Sequence, residues 1–269
     1  MHARASRRWA RSALVAASFS IAAAGCGFGP LPGRATEEWT KTYPLSAGGE
    51  VRIGNTNGKV EIEGVDSSTV EVHAQKIARA ATDETARQLL PRIAISEDIK
   101  PDRVSIETGR LGGIMIGAGF EVHYHVKAPK AAAVNARTTN GGVTLTGLTG
   151  TVVARTTNGG IRATALSGAV NASSTNGAVS VDLASLGADK IALSTTNGSV
   201  TLDVPETAKA EVVATWTNGG MSVSGLNLDV SERSRRRFEG KLNGGGAPIE
   251  LHTTNGGIRL RARDVEAQK

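Results

Sequence analysis

Two aspartates occupy equivalent places in the sequence, and they are the best candidates for acid–base or cation chemistry. Asp182 and Asp203 each stand six residues after the asparagine of a Thr-Asn-Gly triplet. If these segments form adjacent strands, the carboxylates lie about 5 Å apart and could share a proton or bind calcium. A calcium ion normally takes six or more oxygen ligands, so two solvated carboxylates are the simpler interpretation. The sequence therefore predicts no catalytic residue, metal or cofactor here.

A histidine pair is the next candidate, because imidazole is a common metal ligand. His123 and His125 flank Tyr124 and therefore share one face of a strand, and His73 could lie beside them. A metal site needs a third ligand and partners that orient the ligands. Exposed strand histidines are the simpler interpretation.

A basic segment at residues 231–241 could contact anionic lipid head groups or acidic polysaccharide. Its five basic residues are Arg233, Arg235, Arg236, Arg237 and Lys241. A solvated loop is the simpler interpretation of such a charge run.

A column of threonines is the most regular exposed feature of the sequence. Its members are Thr56, Thr139, Thr157, Thr175, Thr196, Thr217 and Thr254. A flat threonine array could face ice or a glycan, but the positions two residues earlier are not threonine throughout. Sugar stacking also uses aromatic rings, and Trp216 points inward by strand parity. We therefore predict a structural ladder.

Enzyme signatures and a nucleic-acid footprint are both absent. The chain has no G-x-S-x-G elbow, P-loop, H-E-x-x-H, paired-cysteine zinc motif or Rossmann fingerprint. The formal charge is +6, but four of the 31 basic residues lie in the first 25 positions, which hold no acid. The remaining 27 basic and 25 acidic residues give no electrostatic footprint for DNA or RNA.

The N-terminus is predicted to be an export signal. Arginines precede a short apolar run in residues 1–25, and Ala23-Ala24-Gly25-Cys26 resembles a bacterial lipobox. Cys26 is the only cysteine, so we predict that it is lipidated, the alternative being an ordinary signal peptide. Residues 26–44 are predicted to be a flexible tether because they show no apolar period.

The triplet Thr-Asn-Gly recurs along most of the chain, and its central spacings of 18, 18, 21 and 21 residues indicate a structural repeat. Its asparagines are Asn57, Asn140, Asn158, Asn176, Asn197, Asn218 and Asn255. A degenerate eighth copy is centred on Asn243.

Apolar residues flank every asparagine at the sixth and fourth positions before it and the third and fifth after it. This alternation predicts a half-buried β-strand on each side of each Asn-Gly. Successive antiparallel hairpins are one architecture that fits. We favour an all-β solenoid of 18–21-residue coils with Thr-Asn-Gly corners, because a coil covers its own apolar face and asparagines can stack.

The repeats are predicted to form one domain at residues 45–262, followed by a tail at 263–269. Residues 64–133 form an N-terminal cap with one short helix that starts at a Thr82-Asp83 cap and ends near Pro91. Residues 227–248 are predicted to bulge out as a loop.

These units resemble the bacterial putative-adhesin family of β-strand-repeat envelope proteins, a domain without an assigned function. The resemblance rests on the Thr-Asn-Gly-Gly-Val/Ile units and on the insertion before Val126-Lys127-Ala128-Pro129. It covers about residues 45–262 and is shared with autotransporter adhesin heads. It provides no catalytic residue to carry over.

Three functional hypotheses follow. The first is a non-enzymatic, lipid-anchored envelope protein that presents its solenoid surface to an envelope protein or polysaccharide. The second is a β-helical enzyme acting on polysaccharide, and the third is a purely structural or stress-related envelope component. The membrane that carries the anchor and the oligomeric state are left open.

Overall fold

The computed structural model describes residues 31–109 and 117–263, and it is almost entirely β-structure. The all-β prediction is confirmed, with one α-helix, α1 at Asp83–Leu89, among the described residues. The strands are β1 Gly33–Pro44, β2 Glu50–Gly54, β3 Val60–Val65, β4 Thr69–Ala80, β5 Ile95–Lys100, β6 Arg103–Thr108, β7 Gly119–Pro129, β8 Ala133–Asn140, β9 Val143–Thr146, β10 Val152–Asn158, β11 Ile161–Leu166, β12 Val170–Asn176, β13 Val179–Leu183, β14 Ile191–Asn197, β15 Val200–Val204, β16 Ala210–Ser224, β17 Leu228–Arg233, β18 Arg237–Leu242 and β19 Ala247–Ala262.

The repeats stack as parallel strands in a solenoid-like body. The strand before each asparagine pairs with its counterparts in the neighbouring repeats, so β10 lies between β8 and β12 with Asn158 opposite Asn140 and Asn176. The strands after the asparagines form a second ladder, in which β11 lies between β9 and β13. Alternate side chains of both ladders point inward and form one core, in which Leu145 and Leu193 are almost completely buried.

The order of repeats in space differs from their order along the chain. The last strand, β19, lies between the β14–β15 repeat and β16, and it pairs in parallel with all three. Strand β16 therefore forms the last repeat of the stack although it precedes β19 in the sequence, and β19 occupies the position next to it. Strands β17 and β18 provide the route, since β18 pairs antiparallel with the outer side of β16.

The opposite end of the body carries helix α1 and strands β4 to β7. Helix α1 begins at Thr82, whose side chain accepts the Thr85 N–H, and it ends where Pro91 enters a 3-10 turn. Strand β7 pairs in parallel with β3 and antiparallel with β4, and β6 pairs in parallel with β2.

The tether prediction is wrong for residues 33–44, because they form strand β1 on the free edge of β4. Apolar periodicity does not predict this strand, because polar contacts with neighbouring strands stabilise it. The Lys76 Nζ lies 2.9 Å from a Glu37 carboxylate oxygen, and Tyr43 donates a hydrogen bond of 2.6 Å to Glu97. Covering β4 also protects the sheet edge at this end.

The predicted loop at residues 227–248 is also wrong, because most of it forms the β17–β18 hairpin. Phe238 and Leu242 of β18 are buried against the core, which fixes the hairpin on β16. Asn243 does not join the column of asparagines. It turns the chain with a φ of 48° and donates its amide to the carbonyls of Glu206 and Ala208.

Both tyrosines of the chain are buried, Tyr43 on β1 and Tyr124 on β7. Burial raises the pKa of Tyr124 to about 12, although the hydrogen bond with Thr108 lowers it. Burial and the hydrogen bond to Glu97 also raise the pKa of Tyr43. Each phenol therefore stays neutral in the folded protein at a pH that ionises it in the unfolded chain, near 10.

We expect the full-length protein to lose stability as pH rises through 10 and on towards 12. The unfolded chain releases the Tyr124 proton in this window and the folded chain keeps it, so the free energy of unfolding falls by up to about 3 kcal/mol. Tyrosinate absorbance and circular dichroism should change together, and Tyr124→Phe should make the pH dependence shallower, with Tyr43 responsible for the part that remains. Tyrosinate forming near pH 10 in a fully folded protein would contradict this expectation.

Candidate interaction surfaces

The seven asparagines of the triplets form one continuous ladder along the body. Six of the seven donate a side-chain amide N–H to the side-chain oxygen of a neighbouring asparagine at 2.7–2.9 Å, and Asn57 at the end only accepts. In space the order is Asn57, Asn140, Asn158, Asn176, Asn197, Asn255 and Asn218. The amides are used by one another, so this column stabilises the stack and is a poor site for a ligand.

A second, buried ladder lies two residues before the asparagines, and sequence reasoning missed it. Thr195 Oγ1 donates to the Gly177 carbonyl at 2.8 Å, and Thr253 repeats this bond to Gly198 at 2.9 Å. Thr138, Thr156 and Ser174 do the same in other repeats. The available signal was a threonine or serine at an inward position of five of the seven repeats, where an apolar side chain would normally stand.

The register brings Asp182 and Asp203 opposite each other on β13 and β15, as neighbours on the same face. Both carboxylates have arginine partners. Arg261 donates two hydrogen bonds of 2.7 and 2.9 Å to Asp203, and Arg263 Nε lies 2.9 Å from Asp182 Oδ1. These ion pairs favour a structural role, in which the two aspartates stabilise the packing of β19 and the residue after it against the body, over a role in ion binding or proton transfer.

The histidines lie where the strand parity places them, and each one faces a separate partner. His73 and His125 are opposite each other on β4 and β7. The His73 Nε2 lies 2.9 Å from a Glu38 oxygen, whereas His123 Nδ1 accepts the Lys59 N–H at 3.2 Å. The described residues contain no group of three or more histidine, cysteine, aspartate or glutamate side chains placed to hold a metal ion.

A groove of about 630 Å³ opens at the end of the body that β16 forms, which we name the terminal groove. Its walls are the second half of β16, the β17–β18 hairpin and the segment between them. The apolar residues that line it are Trp216, Met221, Val223, Leu226, Leu228, Val230 and Phe238. Arg233 and Arg235 stand at its rim. The sequence contains these residues, but only the spatial order of the repeats shows that they lie at an open end.

Comparison of the sequence with known protein families shows which family this chain belongs to. Residues 49–261 match the profile of the Toastrack DUF4097 family. The chain belongs to the Toastrack family. The match confirms that the chain belongs to a β-strand-repeat domain family without an assigned function, as the repeat units indicate. A search of curated proteins finds no match for the chain.

Solved structures similar to this chain share little sequence identity with it. A putative cell adhesion protein from Clostridium sporogenes is 12% identical, with a TM-score of 0.50, and the match covers 85% of this chain and 100% of that one. A putative adhesin from Bacteroides fragilis is 10% identical, with a TM-score of 0.36 and coverage of 84% and 97%. At such identities the first likeness establishes the fold alone.

Two elements of the sequence-based hypothesis concern the membrane. The signal segment at residues 1–25 and Cys26 lie outside the described residues. Among the residues that the structure describes, no helix has the length and apolar character needed to cross a membrane.

Proposed function

We propose that this protein is an exported, lipid-anchored envelope protein without enzymatic activity, whose body acts as an adhesin-type binding module. The observation that carries the proposal is the terminal groove, which combines apolar walls with an arginine rim and remains open to a partner. By contrast, the asparagines of the column bond one another, and Asp182 and Asp203 each form an ion pair with an arginine.

The N-terminal segment supports the cellular part of the proposal. An apolar run too short to span a bilayer, ending at the only cysteine, is typical of a lipoprotein signal. An anchor at Cys26 holds the binding module at a membrane surface, where its partner is an envelope protein or polysaccharide. The similarity to a putative cell adhesion protein from Clostridium sporogenes supports this role.

Replacing the cysteine tests the anchor. We expect wild-type protein to incorporate labelled palmitate in the host cell and to partition into detergent, because two or more acyl chains hold a protein stably at a membrane. Cys26→Ser should take up no label and leave the membrane fraction. Ser18→Ala, in the same apolar run, is the matched control and should behave as wild type. A Cys26→Ser protein that stays with the membrane would overturn the anchoring proposal.

A further inference from the structure

We infer that the terminal groove binds an extended segment of a partner protein, which joins the edge of β16 as an additional strand and alternates acidic with apolar side chains. The inference rests on the proposed function, since it gives the partner class for the groove that carries that proposal. Strand addition is a recurrent mode of peptide recognition at exposed sheet edges.

The first support is a set of backbone donors without a neighbouring strand. In earlier repeats the residue three positions after the asparagine donates its N–H to the next repeat, as Val143 does to Gly160 and Ile161 does to Ala178, both within 3.0 Å. The equivalent residue of β16 is Met221. The Trp216 N–H still donates to the Arg236 carbonyl at 3.1 Å, but beyond Trp216 strand β16 pairs only with β19 among the described residues, so the Met221 N–H faces the open side.

The glycine one position after the asparagine follows the same rule. Gly141 donates to Asn158, Gly159 to Asn176 and Gly198 to Asn255, each at 2.9 Å. The equivalent residue in β16 is Gly219. The edge from Gly219 to Ser224 thus presents the donor pattern that every inner repeat offers to its neighbour, and an added strand satisfies it.

The second support is the apolar wall beside this edge. Met221 and Val223 are only half-buried, whereas the equivalent inward residues of the inner repeats, such as Val179 and Val181, are completely buried. Val230, on the hairpin that forms the other wall, is 45% exposed. An incoming strand with apolar residues at alternate positions covers these side chains while its backbone pairs with β16.

The third support is the positive charge of the groove, which favours acidic residues in the partner strand and disfavours a second copy of this chain as the partner. Within the described part of the chain, the guanidinium groups of Arg233 and Arg235 have no acidic partner, unlike Arg237, which contacts Glu232 and Glu239. Two copies joined edge to edge would bring both arginine rims together, and like charges oppose that contact. A partner strand with acidic side chains is instead attracted by the two arginines.

A synthetic peptide tests the inference directly. The probe is a labelled decapeptide of alternating valine and glutamate with blocked ends, titrated into the full-length protein in detergent and followed by fluorescence anisotropy. We expect saturable binding. The same peptide with its edge-facing amides N-methylated, and a valine–lysine peptide, should each bind at least about tenfold more weakly. Equal binding of all three peptides would overturn strand addition.

A variant of the edge provides the matching change in the protein. Proline is tolerated on an edge strand where its missing N–H faces outward, so Met221→Pro should fold and lose at least about tenfold in affinity. Met221→Leu keeps the donor and should bind as wild type. Unchanged binding by folded Met221→Pro would overturn the inference. A concentration-dependent dimer that blocks the peptide would also overturn it, because the occupant of the edge would then be a second copy of this chain.

The two proposals fail separately. If the peptide does not bind but Cys26→Ser leaves the membrane, the strand partner is wrong and the anchored binding module stands. If the peptide binds and Cys26→Ser stays with the membrane, strand addition stands and the anchoring part of the proposed function is wrong.

Discussion

Removing residues 159–176 is expected to leave a folded protein that is one repeat shorter. The deletion joins Asn158 to Gly177 and restores a Thr-Asn-Gly triplet, because Asn158 and Asn176 are opposite each other in the ladder. Inward residues stay inward, and Asn158 can bond Asn197 in place of Asn176. Since each repeat contacts mainly its neighbours, the shortened body should lose about one interface of stability and keep cooperative unfolding.

A deletion shorter by one residue is the matched control. Removing residues 160–176 leaves one extra glycine after Asn158, and this shifts Val179 and Val181 by one position relative to the strand before them. A one-residue slip exposes an inward set of side chains, so this protein should aggregate or unfold. Circular dichroism and urea unfolding of both full-length deletions decide the matter. Equal behaviour of the two would contradict the stacked register.

Gly141→Ala is expected to destabilise the protein by about 3 kcal/mol, the upper end of ordinary overpacking costs. A Cβ at Gly141 would lie 2.0 Å from the Gly58 carbonyl oxygen, a backbone atom that cannot move without breaking the ladder. Gly159 stands in the same relation to Gly141. The stacked repeats approach so closely at these glycines that only a hydrogen fits.

The adjacent glycine provides the control for this substitution. A Cβ at Gly142 would meet the Gly160 oxygen at 3.4 Å, and other repeats carry Lys59, Ala178 or Ser199 at the equivalent position. Gly142→Ala should therefore change the free energy of unfolding by less than about 1 kcal/mol. Urea unfolding of both variants measures the difference, and similar values would show that the close approach is absent.

The strands of the repeats and the helix were predictable because local signals determine them. Alternating apolar residues around each Asn-Gly place the strands, and Thr82 and Pro91 place the helix ends. Strand β1 was not predictable, since its ordered state depends on the edge of β4 rather than on its own apolar pattern. The hairpin at residues 228–242 was hidden for a similar reason, because its charges suggest a solvated loop.

The candidate site was less predictable than the fold. Similar repeats carry no information on their order in space, so the sequence could not reveal that β19 precedes β16 in the stack. The exposed edge of Met221 and Val223 follows from that order alone. Asp182 and Asp203 were correctly placed as neighbours, but their partners Arg261 and Arg263 lie at and just after the end of β19, which is distant in sequence.

Crosslinking in the native envelope tests most directly whether the terminal groove is a binding surface for an envelope partner. A photoreactive residue replaces Val230 in the groove or, as control, exposed Arg155 on β10 of the full-length protein. We predict one reproducible envelope protein captured from Val230, absent from Arg155 and lost in the Met221→Pro background. Capture of only lipid and background from both positions would contradict the claim.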